Sequence, residues 1–335
     1  MVPGNRDRLR SEILMTERRV LGRMASLGRT ALRGERPLIL LYHRIADCPH
    51  DPWDLAVSPT NFAQHLDLLR RKRTIVPLSW LAERIEQGRN ANHAVAVTFD
   101  DGYRDLLTNA KPLLLRHGAP ATVFVPGGLV GKVSGFWWDS LTRIFLGTPL
   151  LPDRLTVDRA GQTSTWAVSG EAGGRRKVHD AVWAQFKAMT QGERERQLTQ
   201  LCAWADVPNS VGLADRCMTA AELAEFIHPG LIDPGAHTMT HPSLPLLSPE
   251  AQDVEIRDSL GWINRTLGTR PAGLAYPFGD CDAVTRATAR TAGARFAFTT
   301  ASRAIPRGAD MFALPRVPVP NLDIKDFARL LARHA

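Results

Sequence analysis

The sequence has few of the features that would place it in a specialised class of protein. Its 335 residues include only four cysteines, and no two of them form a Cys-x-x-Cys pair. A disulfide framework is therefore excluded, and the thiols are expected to be reduced, as in a cytosolic protein. The remaining composition has ample apolar material for the core of one large α/β domain or two ordinary ones.

The chain also lacks a long apolar run near its start. Residues 1–20 contain none long enough for a secretion signal or a membrane span, which predicts a cytoplasmic protein. Residues 1–36 instead place apolar side chains from Ile13 to Leu27 at helical spacing among arginines. This pattern predicts a basic helical extension, which either lies on an anionic membrane surface or packs on the main domain, residues 37–335.

Clustered positive charge is missing too. Lys and Arg number 42 against 34 Asp and Glu, a net charge of +8, yet no five basic residues are consecutive. Aromatic residues do not alternate with arginines as they do on surfaces that bind single-stranded nucleic acid. No nucleic-acid partner is expected, and a GC-rich genome accounts equally well for the arginines.

From about residue 36 onward, short apolar runs end in polar or glycine-containing residues, and helical patterns usually follow. This alternation predicts parallel β/α units, and about seven strands suggest a barrel. The predicted strands are Pro37–Ile45, His93–Asp101, Ala121–Gly127, Leu231–Thr238, Gly273–Gly279, Phe296–Thr300 and Ala313–Pro320.

The segments between these strands predict crossover helices. Asp105–His117 places five apolar residues on one helical face, namely Leu106, Leu107, Ala110, Leu113 and Leu114. Ser248 followed by Pro249 is a typical helix start. Residues 132–215 break the rhythm with a Gly-rich patch and a charged helical stretch. We interpret them as a helical insertion, part lid and part subdomain, in the loop after the third strand.

Chemically capable residues follow the predicted strands. In parallel β/α folds, functional groups gather at the carboxyl ends of the strands. The residues at those ends are His43, Asp100, Asp101, His237, His241 and the stretch Tyr276 to Gly279, and Arg316 lies in the last strand. The sequence therefore predicts one site built from several strand ends.

The stretch "HTMTH" suggests part of a metal site. His237 and His241 are four residues apart, and zinc accepts imidazole nitrogen together with carboxylate oxygen. Alone, such a pair also fits capping or core histidines, and the Asp-Gly of "DDG" is a common turn. Together they predict a site in which Asp100 or Asp101 binds the metal and the other takes a proton from water. The turn at Gly102 has to direct both carboxylates to that site.

The motifs "TFDDGY", "HTMTH" and "YPFG" resemble those of the polysaccharide deacetylase family, the NodB-like domain of carbohydrate esterase family four. The resemblance extends from about Pro37 to Pro320, apart from the insertion. It implies a distorted (β/α) barrel and metal-dependent removal of an N-acetyl group from an amino sugar. "LLYHRI" and "MTAAELAEF" resemble the branch that acts on bacterial cell-surface or lipid-linked glycans.

The resemblance also implies roles for individual residues. Asp100 matches the general base, and Asp101, His237 and His241 match the ligands of a divalent metal, with Zn²⁺ expected first and Co²⁺, Ni²⁺ or Mn²⁺ as alternatives. The family's third motif further implies substrate and oxyanion contacts, including a backbone N–H near Phe278. The matching residues are Tyr276, Phe278 and Gly279.

Two motifs depart from the family pattern. Many members carry Arg-Pro-Pro-Tyr-Gly, whose arginine orients the base, but Ala275 occupies that position here. Their last motif carries Leu-His, whose histidine protonates the leaving amine, and here "LPRVPV" supplies Arg316 instead. Because arginine does not donate its proton at neutral pH, Arg316 is expected to orient Asp100 or bind a substrate anion. His43 is the candidate acid, with a structural role at the barrel rim as the alternative.

Other residues leave alternatives open. Trp137 and Trp138 either stack on sugar rings or pin the insertion to the barrel, and Asp280 and Asp282 are expected to shape a turn and cap a helix. The predicted protein is a cytoplasmic de-N-acetylase acting on an amino sugar of a surface-glycan precursor or a related glycoconjugate. The alternatives are a deformylase or other deacylase of a lipid-linked amino sugar, and a catalytically silent sugar-binding domain.

Overall fold

The computed structural model describes residues 35–159, 162–168 and 172–334. The predicted N-terminal extension, residues 1–36, lies outside the described residues except for its last two, and so does the membrane contact predicted for it. Within the described ranges, no helix is both long and apolar enough to cross a membrane.

Twelve strands are found in the described part of the chain. In chain order they are β1 Leu38–Tyr42, β2 Arg44–Ile45, β3 Ala56–Val57, β4 Thr74–Ile75, β5 Ala94–Phe99, β6 Ala121–Val125, β7 Arg154–Arg159, β8 Gln162–Ala167, β9 Ile232–Ala236, β10 Leu274–Ala275, β11 Ala297–Phe298 and β12 Val317–Pro318. Seven form a parallel sheet in the order β11-β10-β9-β6-β5-β1-β12, and β4 pairs with the start of β5. Every strand predicted from the sequence contributes to this sheet.

The segment that leads into β12 joins both edges of the sheet. Leu314 exchanges backbone hydrogen bonds with Ala297 and Thr299 at β11, each 2.9 Å long. Three residues later, Val317 pairs with Leu40 of β1. The sheet therefore curves into the distorted (β/α) barrel that the sequence predicts.

The strands form where the sequence is continuously apolar, because helices cover the sheet on its outer face. All residues of β1, β5 and β6 are buried, as is usual for parallel strands covered on both faces. The helices are α1 Pro59–Lys72, α2 Leu78–Glu86, α3 Lys111–His117, α4 Trp137–Thr142, α5 Ala172–Lys187, α6 Gln191–Trp204, α7 Ala220–Ile227, α8 Pro249–Leu267, α9 Ala283–Thr291 and α10 Ile324–Arg333.

Local capping explains where the predicted helices begin. The Ser248 hydroxyl accepts a hydrogen bond from the Ala251 N–H, and Pro249 occupies the first turn of α8, as predicted. Asp282 caps α9 in the same way through the Thr285 N–H. A π-helical turn, Leu106–Ala110, precedes α3 within the predicted helix Asp105–His117.

The insertion contains a pair of strands in addition to the helices that the sequence predicts. Besides α4, α5 and α6 it contains an antiparallel hairpin of β7 and β8. Residues 154–158 follow the alternating pattern of a half-buried strand, since Leu155 and Val157 are buried and the residues on either side of them are exposed. The insertion shares its buried aromatic residues with the main hydrophobic core of the barrel.

Candidate metal and catalytic site

A tight turn after β5 presents the two adjacent carboxylates. The backbone is left-handed at Asp101, with φ of 68°, and at Gly102, with φ of 65°. The Gly102 N–H donates to the Asp100 carbonyl at 2.9 Å. Asp100 and Asp101 are both buried, so the turn directs both side chains into the barrel, as the sequence predicts.

A coiled loop after β9 presents the two histidines. Thr238 and His241 both have positive φ, and the His241 N–H donates to the Thr238 hydroxyl at 3.1 Å. The Glu255 carboxylate accepts from the Met239 N–H at 2.8 Å and from the Thr240 N–H at 2.9 Å. This loop therefore has a fixed shape that turns both imidazole rings toward Asp101.

The three predicted metal ligands converge on one point. Asp101 Oδ1 lies 3.6 Å from His237 Nε2 and 3.5 Å from His241 Nε2. Ligand atoms bound tetrahedrally at zinc distances lie about 3.4 Å apart. Asp101 Oδ1 is buried and accepts no hydrogen bond from the described residues, so a cation is the partner that its position lacks. The residues present therefore fit a divalent metal.

The tautomer of His237 suits the same role. Its Nδ1 lies 2.8 Å from the Ala275 carbonyl oxygen, which can only accept, so Nδ1 carries the proton. The lone pair of Nε2 is then free to bind a metal. Burial lowers the pKa of His237 and of His241, which favours the neutral imidazole that a metal needs.

Charge balance at Asp101 also calls for a cation. Burial raises the pKa of the Asp101 carboxyl well above its ordinary value, and the negative charges of Asp100 and Asp139 raise it further. An ionised Asp101 is therefore costly in the metal-free protein. A divalent cation at this point would offset that cost and favour the carboxylate.

Asp100 has a different environment. Arg316 donates from Nη1 to Asp100 Oδ1 and from Nη2 to Oδ2, both at 2.7 Å, and from Nε to the Thr299 carbonyl at 3.1 Å. Burial acts to raise the pKa of Asp100, but the charges of Arg316 and His237 and the hydrogen bonds from Arg316 hold it below its ordinary value. Of the two roles predicted for Arg316, this geometry supports orientation of the base.

His43 lies directly after β1 and is half-buried. Burial lowers its pKa to about 4, the charge of Asp100 acts against that shift, and the charges of Arg316 and His237 add to it. His43 is therefore close enough to Asp100, His237 and Arg316 for their charges to affect its pKa. At neutral pH its imidazole is uncharged and carries no proton that it could give up as an imidazolium.

In the motif "YPFG", the predicted substrate contact of Tyr276 is wrong, whereas Phe278 lies at the site. The Tyr276 hydroxyl donates to the Phe312 carbonyl at 2.9 Å, and its N–H donates to the Phe298 carbonyl, so Tyr276 belongs to the core and not to the substrate site. Phe278, with φ of 59°, brings its ring centroid to 4.7 Å from that of His241. The Gly279 N–H donates to the Tyr276 carbonyl, which leaves Phe278 as the candidate oxyanion donor.

Residues of the insertion contact His241, and the sequence did not predict this contact. The Trp138 ring lies 4.7 Å from the His241 ring, and its indole N–H donates to the Tyr103 hydroxyl at 2.8 Å. That hydroxyl in turn donates to the Asp139 carboxylate at 2.8 Å. Trp137 and Trp138 are nearly fully buried, so they pin the insertion to the barrel and do not face a sugar.

Arg194 of α6 ties the insertion to the same histidine. It is buried and donates to three carbonyls, those of Phe186 at 2.9 Å, Lys187 at 3.1 Å and His241 at 3.4 Å. It therefore caps the carboxyl end of α5 and holds the histidine loop at once. Nothing in the charged stretch "QGERERQL" distinguishes this arginine from its exposed neighbours.

Comparison with known proteins agrees with the geometry. Residues 87–147 and 207–297 match the polysaccharide deacetylase family model, and the omitted residues 148–206 lie within the predicted insertion. The YxkH protein of Bacillus subtilis (strain 168), a polysaccharide deacetylase by name, is 30% identical over 105 residues. That match covers 30% of this chain, and the chain spans only about a third (36%) of the relative's length.

Two solved structures have the same fold. The deacetylase PplD of Streptococcus pyogenes, determined in complex with acetate, superposes with a TM-score of 0.58 at 18% identity, covering 89% of this chain and 99% of that one. IcaB from Ammonifex degensii superposes with a TM-score of 0.55 at 22% identity, covering 90% and 98%. At these identities the likeness establishes the NodB-like (β/α) barrel.

Proposed function

We propose that the chain, which matches the polysaccharide deacetylase family model over residues 87–147 and 207–297, is a divalent-metal-dependent hydrolase. It would remove the N-acetyl group from an amino sugar of a surface-glycan precursor or a related glycoconjugate. One observation carries this proposal. Of the two adjacent buried carboxylates, Asp100 is paired through both oxygens with Arg316, while Asp101 Oδ1 faces two imidazoles and accepts no hydrogen bond from the described part of the chain. The pair is thus divided between a base and a metal ligand.

Asp101, His237 and His241 would hold the metal. Imidazole nitrogen with carboxylate oxygen suits Zn²⁺, which we propose first, with Co²⁺, Ni²⁺ and Mn²⁺ as alternatives. When bound, such a cation lowers the pKa of water and polarises an amide carbonyl, each of which stabilises the transition state. Three protein ligands leave a coordination position for that chemistry.

Asp100 acts as the general base. Because Arg316 holds its pKa low, the carboxylate is ionised at neutral pH and ready to take a proton from the attacking water. The two hydrogen bonds from Arg316 fix the plane of the carboxylate. The backbone N–H of Phe278 donates to the oxygen that gains charge as the carbonyl is attacked.

The proton has to reach the leaving nitrogen. Water adds its oxygen to the carbonyl carbon, its first proton goes to Asp100, and the carbon–nitrogen bond then breaks as that proton is delivered to nitrogen. His43 enters the reaction neutral, so it acts by passing on the proton that Asp100 has removed. Acetate and the free amine are the products.

Acetate release tests this proposal. Metal-stripped protein would be assayed with and without added Zn²⁺ or Co²⁺ on N-acetylated sugars, nucleotide sugars and lipid-linked glycans, with formate measured in parallel. Metal-dependent acetate release is expected, and formate release would instead identify a deformylase. Stoichiometric metal binding without release of either acid would indicate a silent sugar-binding domain.

The cytoplasmic location stays part of the proposal, supported by four free thiols and testable by cell fractionation.

A further inference from the structure

Two motif residues have no part in the proposed reaction, although both contact the turn that carries Asp100 and Asp101. Arg44 belongs to "LLYHRI" and lies on β2, and Glu222 belongs to "MTAAELAEF" and lies on α7. We call residues 100–105 the carboxylate turn. Each motif therefore reaches this turn from a different element of the fold.

Arg44 holds the end of the carboxylate turn through a buried ion pair. Its Nε donates to Asp105 Oδ2 at 2.8 Å, and its Nη2 donates to Asp215 Oδ1 at 2.6 Å. The other Asp105 oxygen accepts from the Ile45 N–H at 3.0 Å. Burial raises the pKa of Asp105, and the charge and hydrogen bond of Arg44 act against that shift. Arg44 therefore fixes the Asp105 carboxylate and offsets part of the cost of burying its charge.

Glu222 holds the neighbouring residue of the turn from α7. Arg104 donates from Nε to Glu222 Oε1 at 2.7 Å, and Arg216 donates to both oxygens of the same carboxylate at 2.8 and 3.0 Å. The hydrogen bonds from Arg216 hold the pKa of Glu222 below its ordinary value. The carboxylate also accepts from the Thr219 N–H at 2.8 Å in the capping box of α7. Arg104 is thus tied to a carboxylate that cannot move without uncapping α7.

The backbone that leads into α7 also pairs with the carboxylate turn. The Met218 N–H donates to the Gly102 carbonyl at 2.9 Å, and the Arg104 N–H donates to the Arg216 carbonyl at 3.0 Å. The turn needs such support, because Asp101 has φ of 68°, a left-handed conformation that a residue with a side chain keeps only where surrounding contacts impose it. Contacts that hold the turn therefore also hold the metal ligand.

We propose that Arg44 and Glu222 are positioning residues that hold Asp101 where the metal requires it. This inference rests on the proposed function, because it concerns a ligand of the proposed metal. An ion pair taken out of water adds little to stability compared with apolar side chains of the same size, since both charges lose their hydration. It does impose direction, because charged hydrogen bonds demand a particular geometry. Two such pairs, of opposite polarity, hold adjacent residues of one turn, which suits them to positioning.

Zinc affinity and hydrogen exchange test this proposal. In Arg44→Met and Glu222→Gln, zinc affinity, measured by competition with a chromophoric chelator, should fall about tenfold. In the metal-free proteins, amide hydrogen exchange of residues 100–105, followed by mass spectrometry, should become faster. Glu222→Gln keeps a carbonyl oxygen for the cap of α7. Arg44→Lys, which keeps the charge beside Asp105, should recover part of the lost affinity.

Arg73→Met is the matched control. Arg73 is also a buried arginine, and it pairs with Glu35 at 2.9 Å and donates to the Arg36 carbonyl at 2.8 Å. It directly precedes β4, which pairs with the start of β5, so it lies at the end of that strand opposite to the carboxylate turn. This variant should lose thermal stability, whereas its zinc affinity and the exchange of the carboxylate turn should equal those of the original protein.

The outcomes separate the positioning role from the hydrolase assignment. Variants that lose stability as Arg73→Met does, but keep the original zinc affinity and exchange, would overturn the proposal and leave the hydrolase intact. If the original protein bound no zinc or other divalent metal, the metal-dependent hydrolase would be refuted, whereas faster exchange confined to the carboxylate turn in Arg44→Met would still support the positioning role. If Arg44→Met fails to fold, Glu222→Gln and Arg104→Met should show the same two effects, and their absence would equally overturn the proposal.

Discussion

Arg316 and Asp100 come from the ends of different strands and share two parallel hydrogen bonds, each 2.7 Å long. Arg316 directly precedes β12, which pairs with β1, and β1 pairs with β5, the strand that Asp100 follows. The guanidinium therefore reaches across the barrel interior to the base. A planar, bidentate, charge-assisted pair of this kind fixes both the charge and the orientation of the carboxylate.

Replacing Arg316 with lysine should shift the pH dependence of the reaction. A single ammonium cannot bond to both carboxylate oxygens, so it would lower the pKa of Asp100 less than the guanidinium does. The base works only when ionised, so a higher pKa moves the acidic limb of the kcat/KM profile to higher pH. The pH profile of the variant tests this, and an unchanged acidic limb would mean that Asp100 is not the base.

Asparagine substitutions should separate the two aspartates. In Asp100→Asn the metal ligands remain in place, so metal content should stay stoichiometric while kcat falls by about 10² or more. Asp101→Asn and His237→Ala each remove a ligand and should lose both metal and turnover. Elemental analysis of each purified variant, together with acetate release, measures the difference. Equal metal loss in all three variants would contradict the division of roles.

Much of the site was predictable because strand ends in a parallel β/α fold converge. The apolar runs were sufficient for the fold, and they placed Asp100, Asp101, His237 and His241 at strand ends as candidates for one metal site. Only the resemblance to the deacetylase family assigned Asp101 to the metal and Asp100 to the base. What the sequence could not decide was whether Arg316 pairs with Asp100 or binds a substrate anion, because that depends on which side chains meet inside the barrel. Arg316 is 216 residues from Asp100, and no periodicity links them.

The sequence also could not show which side chains of a motif or helix point into the core. Tyr276 belongs to a matched motif, but the backbone there points its ring into the core, where the hydroxyl bonds to Phe312. Arg194 is missed for the converse reason, since a buried arginine in a charged helix has the same local pattern as an exposed one. Both facts depend on packing between distant segments and not on local sequence.

The insertion should affect metal affinity as well as substrate choice. Arg194→Met removes the hydrogen bond to the His241 carbonyl. Trp138→Phe removes the indole hydrogen bond to Tyr103 that holds the Trp138 ring against the His241 ring. Because groups that orient metal ligands affect affinity strongly, each variant should bind Zn²⁺ about 10- to 100-fold more weakly. Competition with a chromophoric chelator measures this without any enzyme assay.

The matched control for these variants is Arg143→Met. Arg143 also belongs to the insertion, but it donates to the exposed Pro208 carbonyl and not to the carbonyl of a metal-binding histidine. Its zinc affinity should equal that of the original protein. If Arg194→Met and Arg143→Met bind zinc equally well, the insertion is only a cover over the site.

The loss of rate caused by substituting His43 should depend on the leaving group of the substrate. In His43→Gln, hydrolysis of the amide should slow about 10²-fold, because the amine cannot leave without a proton. An activated ester such as 4-nitrophenyl acetate has a leaving group that needs no proton, so its hydrolysis should slow much less. Parallel assays on the two substrates give the ratio. An equal loss on both would assign His43 to the structure of the barrel rim.

Gly279 should be intolerant of any side chain. Its backbone has φ of 75°, and an added Cβ would collide with the Thr300 hydroxyl and lie 2.7 Å from the Thr300 nitrogen. Gly279→Ala should therefore cost the left-handed penalty of about 1–2 kcal/mol plus a steric term, and it should displace the neighbouring Phe278. Gly308 has a similar φ of 66° but no atom within 4 Å of the added Cβ, so Gly308→Ala isolates the backbone penalty. Thermal unfolding and acetate release should be measured for both variants, and activity should be lost only in Gly279→Ala. Equal effects in the two variants would show that the turn has room for a side chain and that the position of Phe278 does not depend on Gly279.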